Sequence, residues 1–330
     1  IVAVATMVVS CNIHLAKPRL LMQEEYLFGK DFSHDSIVLG SDWWRMFGDT
    51  TLNRLIERAI AQNKSIEIAA SRIEEARHSL IVTRSQYLPS ISGAISVEEK
   101  YDSATRNIAQ SYKILPQASW ELPLFGSLRY ATKGAKAAIN YQKWQYQGVR
   151  LALEAEVATA YFTLLQYRQD LSIARRSSEL RREMVSLIDS LFHYGFASGA
   201  NLEQAKSLLY TAEIDIPKYE FAIAQTILSL SILTGESAEE LMDVGIARQA
   251  TTNDYAPYDI AIGVPSDLLH RRPDVMSAYY TAQQSAAAVG LARSARLPSV
   301  TISLYGGSAT ERFASLFSKG AWVADALASL

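Results

Sequence analysis

Arg84-Ser85-Gln86-Tyr87-Leu88-Pro89-Ser90-Ile91 decides the fold, because the phrase comes back. It returns as Arg293-Ser294-Ala295-Arg296-Leu297-Pro298-Ser299-Val300, 209 residues later (84 to 293). Each copy closes a helical pattern at a proline, which removes a helix donor, and opens an alternating pattern. A repeat of that length is too long for a solenoid unit. It points to an internal duplication, each half holding a helix, a strand pair and a long helical region. At the same offset Trp120 corresponds to Ser329, so the second half is incomplete in the chain as given.

Around the first copy, Ser90 to Tyr101 has period two. Ile91, Gly93, Ile95 and Val97 alternate with Ser92, Ala94, Ser96 and Glu98. Asp102 to Ala109 reads as a polar loop. Tyr112 to Leu122 alternates again, with Tyr112, Ile114, Ala118, Trp120 and Leu122 opposite Lys113, Gln117, Ser119 and Glu121. Both runs are long enough for a tilted strand to cross a bilayer. The polar positions Ser92, Ser96, Glu98, Lys113, Gln117, Ser119 and Glu121 then suit a wet lumen, with Tyr101 and Trp120 where aromatic girdles belong. Glu98, Glu99, Lys100 and Glu121 would stand at the mouth or base of such a pore. A soluble two-stranded sheet with one buried face fits the same alternation, and periodicity alone does not decide between them. Around the second copy, Val300, Ile302 and Leu304 begin a third strand that Gly306-Gly307 is expected to break. Ala321 to Leu330 begins a fourth.

The helical regions have clear periods. Leu52, Leu55, Ile56, Ala59 and Ile60 share one helix face from about Thr50. Asn63 breaks that helix, and a second runs from about Ser65 to Tyr87. Leu128 to Tyr194 contains no proline; as one helix it spans about 100 Å. Its stripe is Val149, Leu153, Val157, Ala160, Leu164, Tyr167, Leu171 and Ala174, continued at Leu180, Met184, Leu187 and Leu191. Gly195 to Asn201 is a turn, with Asn201 as N-cap. Leu202, Ala205, Leu209, Ala212, Ile216, Tyr219, Ile223, Thr226, Leu230 and Leu233 return with alternating steps of three and four, a coiled-coil seam. Pro217 should kink this helix, and Gly235 ends it. So long a hairpin cannot bury both flanks alone and calls for neighbouring copies, although a self-contained bundle is the alternative. In the second half, Asp274 after Pro273 is placed as a helix cap, and Ala282, Ala286, Val289 and Ala292 as one helix face.

The bulk numbers exclude several classes. A net charge of −2 gives no basic footprint for nucleic acid. Apolar residues make up 49% and charged residues 20%, an ordinary balance. No apolar run reaches the length of a membrane-spanning helix, which leaves transmembrane strands open. The five histidines, His14, His34, His78, His193 and His270, include no pair at helical metal-ligand spacing. Arg271-Arg272 lacks a glycine-rich phosphate loop, and Glu74-Glu75 are adjacent and so on different helix faces. No cofactor and no catalytic group are expected. The single cysteine, Cys11, follows an apolar stretch from Ile1 to Val9. Val8-Val9-Ser10-Cys11 reads as a lipobox whose cysteine would take lipid in the outer membrane; a short strand with a core cysteine is the other reading.

These pieces resemble the outer membrane efflux (TolC-like) family, and within it the lipoprotein branch of drug-efflux channels. The resemblance rests on Ala69-Ala70-Ser71-Arg72 leading to Leu88-Pro89-Ser90, and on Trp120-Glu121-Leu122-Pro123-Leu124-Phe125-Gly126. It rests further on Ile232-Leu233-Thr234-Gly235, on Val264-Pro265-Ser266-Asp267-Leu268-Leu269 with Arg271-Arg272-Pro273-Asp274, and on Leu297-Pro298-Ser299. It implies a mainly α fold with membrane β-strands: a long helical hairpin of a trimeric α-barrel plus strands of a shared transmembrane β-barrel. The divisions are a signal remnant and lipobox (1–11), an extended arm (12–49), first-repeat helices (50–89) and a strand pair (90–124). The tunnel hairpin (125–236), an equatorial linker (237–263), a second-repeat helix (264–297) and a second strand pair cut short (298–330) follow.

The implied partners are two further copies, a periplasmic adaptor, an inner-membrane pump and outer-membrane lipid. Gly195, Phe196, Ser198, Gly199 and Asn201 at the hairpin tip are the expected adaptor contact. The implied function is passive export of small molecules without catalysis; a protein-secretion exit channel and a pore-less periplasmic scaffold are the alternatives. Family members continue into a second hairpin that carries most of the periplasmic gate, which this chain as given does not reach.

Overall fold

The computed structural model describes residues 40, 42–102, 107–243 and 269–329. The lipobox at Cys11, most of the 12–49 arm and most of the 237–263 linker lie outside the described residues. The chain divides into two compact units. One comprises the described parts of Arg72–Trp144 and Asp274–Leu330, the other those of Met22–Ser71 and Gln145–Pro273.

The first unit is organised by an antiparallel sheet of strands β1 (Ser90–Asp102), β2 (Asn107–Leu122), β3 (Val300–Thr310) and β4 (Trp322–Ser329), in that spatial order. β2 begins five residues earlier than Tyr112, because Asn107 to Ser111 extend the ladder against Glu98 to Asp102 rather than forming a loop. Gly306-Gly307 does not break β3. A Cβ on Gly307 would fall on the Ile114 carbonyl, so the glycine lets the β2 backbone come close without ending the strand. The connection after β3 folds back: Phe313 meets Tyr112 edge to face with ring centroids 5.6 Å apart, and the Ser308 hydroxyl donates to the Leu316 carbonyl.

Two helical stretches of the same unit pack on each other. The first residues of α3 (Ser127–His193) bury Tyr130 and Ala137. The helix α6 (Pro273–Ser294) places Gly290 against the Tyr130 ring and Ala287 beside Gly134. Its buried stripe is Met276, Ala287, Gly290 and Ser294, not Ala282, Ala286, Val289 and Ala292. The face is turned by one residue because the small side chains at 287 and 290 admit the tyrosine. Pro273 takes the first helical position, where its missing N–H costs nothing, and Asp274 lies inside the first turn rather than at the cap.

The second unit has the main core. α1 (Thr50–Gln62) begins at Asp49, whose Oδ1 accepts from the N–H groups of Thr51 (2.7 Å) and Leu52 (3.1 Å). Its Leu52, Leu55, Ile56 and Ala59 are fully buried with Val157 and Leu164 of α3 and Leu230 of α4 (Gly199–Thr234). Each such Leu or Ile contributes about 1.5–3 kcal/mol through burial. Asn63 separates α1 from α2 (Lys64–Ser85); its amide donates to the Leu233 carbonyl at 3.0 Å while its Oδ1 accepts from Ser65 N–H. Ahead of α1, a 3-10 turn at Trp43–Phe47 packs Trp44 into the same core. Trp43 Nε1 donates to Glu154 at 3.2 Å, and Arg150 reaches the same carboxylate at 2.7 Å. Glu154 is only 3% exposed, and burial pushes its carboxyl above the usual range despite those two donors. The short α5 (Ala238–Asp243) adds Leu241 to the core.

The outbound and return helices pair along a seam, and the two sequence stripes fare differently. On α4 the seam keeps Leu202, Ala205, Leu209, Ala212 and Leu230 as read from the heptads, with Ile227 and Thr234 closing it. The helix runs unbroken through Pro217, and Gly235 ends it at φ 73°. On α3 the seam passes through Ala174 and Ser178 to the half-buried Arg181, Val185 and Ile188. The stripe Leu180, Met184, Leu187 and Leu191 is therefore displaced outward; Leu180 and Met184 are each 53% exposed. Two cross-hairpin ion pairs hold the register, Arg175 to Glu220 at 2.8 Å and Arg182 to Glu213 at 2.7 Å. Both are exposed, so neither adds more than about 1 kcal/mol.

Candidate functional site

In an antiparallel sheet, residues directly opposite each other share a face, so the register sorts every side chain. One face carries Ile91, Ile95 and Val97 of β1, Ile114, Ala118 and Trp120 of β2, Ile302 and Leu304 of β3 and Trp322, Ala324 and Ala326 of β4. Ile91 and Ile95 are 80% and 79% exposed, so among the described residues nothing covers this end of the apolar face, while the connection after β3 packs on it at Tyr112 and Ser308. The other face brings together all seven polar positions singled out from the alternation. Ser92 lies opposite Gln117, Ser96 opposite Lys113 and Glu98 opposite Ser111, while Ser119 and Glu121 face Ser303 and Thr301. Lys100 shares that face, whereas Glu99 stands with Val97 and Tyr101 on the apolar one, because β1 continues its alternation to Asp102. Hydrogen bonds knit the polar face: Ser90 Oγ to the Ser119 carbonyl at 3.0 Å, Ser119 Oγ and Ser303 Oγ at 3.4 Å. A pair unread in the sequence joins them, Tyr305 hydroxyl to Asp325 Oδ2 at 2.7 Å. Only the β3–β4 register places those two residues opposite each other.

The hairpin tip is a second candidate. Gly195 has φ 80°, and its N–H donates to the Phe192 carbonyl at 3.0 Å while Phe196 N–H donates to Leu191 at 2.8 Å. These are the two bonds of a Schellman helix ending, which places glycine at the left-handed position. Ser198, not Asn201, caps the return helix. It is extended, its Oγ accepts from Asn201 N–H at 3.2 Å, and Asn201 is consequently already in the first turn. Gly199 needs no special backbone, since a Cβ there would meet Phe192 at an ordinary 3.6 Å. Phe196 is exposed, and a groove of about 730 Å³ beside the tip is lined by Leu180, Met184, Leu191, Phe196, Asn201 and Leu208.

Among the described residues no group of three metal-ligating side chains gathers, and no helix is long and apolar enough to cross a membrane. A four-stranded sheet with one largely exposed apolar face, together with a long antiparallel helical hairpin, defines the class of outer-membrane channel proteins. Comparison agrees: the family model for the outer membrane efflux protein matches residues 55–236, more than half of the chain, and the chain belongs to that family. Membership places it in the outer membrane.

Among its relatives, the pyoverdine export outer membrane protein OpmQ of Pseudomonas putida is 27% identical over 286 residues, covering 83% of this chain and 60% of the relative. The toluene efflux pump outer membrane protein TtgC of Pseudomonas putida is 25% identical over 300 residues, covering 88% and 61%. The chain thus spans about three fifths of the length of these curated relatives. The open-state MtrE outer membrane channel of Neisseria gonorrhoeae superposes with a TM-score of 0.82 at 23% identity, over 96% of this chain and 71% of that one, a likeness of fold. The resemblance read from the sequence is borne out at the level of family and fold.

Proposed function

We propose that this chain is the outer-membrane conduit of a tripartite efflux pump, through which small molecules leave passively. Three copies close one barrel and one periplasmic tunnel, and an adaptor and an inner-membrane pump engage from the periplasmic side. The observation that carries this reading is the sheet register. It collects Ser92, Ser96, Glu98, Lys113, Gln117, Ser119 and Glu121 on one face and leaves the bare apolar side chains on the other. A sheet in water would have to cover that apolar face; a barrel turns it to lipid and the polar face to a lumen. Both sheet edges, β1 and β4, are unpaired among the described residues. Sharing a barrel among copies removes both edges.

The exposed Leu180, Met184, Leu187 and Leu191 give the hairpin an apolar flank for a neighbouring copy. The hairpin tip at Gly195, Phe196, Ser198, Gly199 and Asn201 is the adaptor contact, and Cys11 carries the lipid anchor. That these relatives are named for pyoverdine export and toluene efflux supports small molecules as cargo.

Single cysteines at Ile95 and Ser96 test the reading in the full-length protein in cells. A membrane-impermeant thiol reagent should label Ser96→Cys and spare Ile95→Cys. Equal labelling of both would favour a water-exposed scaffold and defeat the conduit.

A further inference from the structure

The polar face has an uneven distribution of charge. Across the four strands, Ser92, Gln117, Tyr305 and Asp325 form one continuous row of partners. The two flanking rows are Ser90, Ser119, Ser303 and Leu327 on one side and Ala94 with Val323 at its ends on the other, and they carry no charge. β3 contains no ionisable carboxylate or cation, and Asp325 is the single charged residue of β4. The nearest charges on this face, Glu121 and Lys113, are on β2, each four residues along the strand direction from the Asp325 row. That is about 13 Å at roughly 3.3 Å per residue, before the two-strand lateral separation is added. The Debye length in physiological salt is about 8 Å, so Lys113 does not neutralise Asp325 across the open face. Asp325 is also held in place: Tyr305 donates to Oδ2 at 2.7 Å and the Ala326 N–H reaches Oδ1 at 2.7 Å. Its carboxylate is exposed, so it stands on the face rather than in the sheet interior.

We infer that Asp325, oriented by Tyr305, makes this stretch of the lumen prefer cations over anions, and so favours cationic forms of the exported molecules. The inference rests on the conduit reading above, in which three copies repeat the carboxylate around one lumen. Rings of carboxylates are a general means of cation selection in pores. Asp325 is thus a specificity residue, and Tyr305 positions it.

The test is the reversal potential across planar bilayers under a potassium chloride gradient, using the full-length protein and its Asp325→Cys variant. The variant should lower the cation-to-anion permeability ratio at least twofold. A negatively charged sulfonate thiol reagent should restore the ratio, a quaternary ammonium thiol reagent should lower it further, and neither should act on the parent. Because one purified variant is read before and after modification, altered folding cannot mimic the pattern. Should that variant form no channels, Asp325→Asn, nearly identical in shape, carries the same twofold expectation, and Tyr305→Phe should give a smaller decrease with the charge intact. Channels whose ratio ignores the charge at 325 would overturn the inference while leaving the conduit standing. A parent protein that forms no channels at all would overturn the conduit reading itself.

Discussion

Gly290→Ala is the smallest change that should disturb the packing of α6 on α3. A Cβ at this position would lie 2.5, 2.7 and 2.9 Å from three atoms of the Tyr130 ring. Carbon atoms rest at about 3.5–4.0 Å, so ring and helix must part by roughly 1 Å. Tyr130 is buried, and Gly134 approaches Ala287 one turn away, so little slack exists. Overpacking of this kind costs about 1–3 kcal/mol. Alanine returns about 1 kcal/mol through its helix propensity, leaving a net loss of up to about 2 kcal/mol. The assay is thermal unfolding in detergent, followed by far-ultraviolet circular dichroism, for four proteins: parent, Gly290→Ala, Tyr130→Ala and the double variant. Without the ring the obstacle is gone, so Gly290→Ala should turn from destabilising to neutral or stabilising. Equal destabilisation in both backgrounds would refute the assigned contact.

Three further outcomes follow from other contacts. Asp49 caps α1 and its Oδ2 accepts from the Tyr161 hydroxyl at 2.6 Å; Asp49→Ala should cost about 2–4 kcal/mol in urea unfolding, from a lost cap and a buried hydroxyl deprived of that bond, whereas Asp49→Asn should keep most of it. On the conduit reading proposed above, Gly195→Val should impair export in cells while trimers still form, because valine tolerates φ 80° poorly, and Gly199→Ala should have a much smaller effect, because its Cβ has room; equal effects would contradict the turn geometry. Burial raises the Glu154 carboxyl above its unfolded value, so the folded state holds its proton longer and this group's contribution to stability falls as pH rises from the unfolded value through the raised one. Glu154→Gln should flatten that fall on the alkaline side of the unfolded carboxyl value while keeping an acceptor for Trp43, and an unchanged pH profile would remove Glu154 as its source.

What the sequence conveys here depends on whether a pattern is local. Strand alternation is local: each side chain flips with its neighbour, so Ser92, Ser96, Glu98, Lys113, Gln117, Ser119 and Glu121 could be sorted before any pairing was seen, and the register placed them together. The helix faces were legible where burial is deep, as for Leu52, Leu55 and Ile56, since a mis-set stripe there would leave leucine in water. They misled where helices pack through small residues. On α6 the alanines are so frequent that the 282–286–289–292 and 276–287–290–294 stripes look alike, and only the tyrosine across the interface selects between them. On α3 an apolar stripe can serve the partner helix or a neighbouring copy. Leu180, Met184, Leu187 and Leu191 were read for the former, yet Ser178, Arg181, Val185 and Ile188 line the seam, which leaves the better hydrophobes outside. Sequence period reports that a face is apolar and is silent on which surface covers it. The same silence hid Asp325 and Tyr305, because twenty residues separate them and the pair exists only once β4 has docked in a definite register.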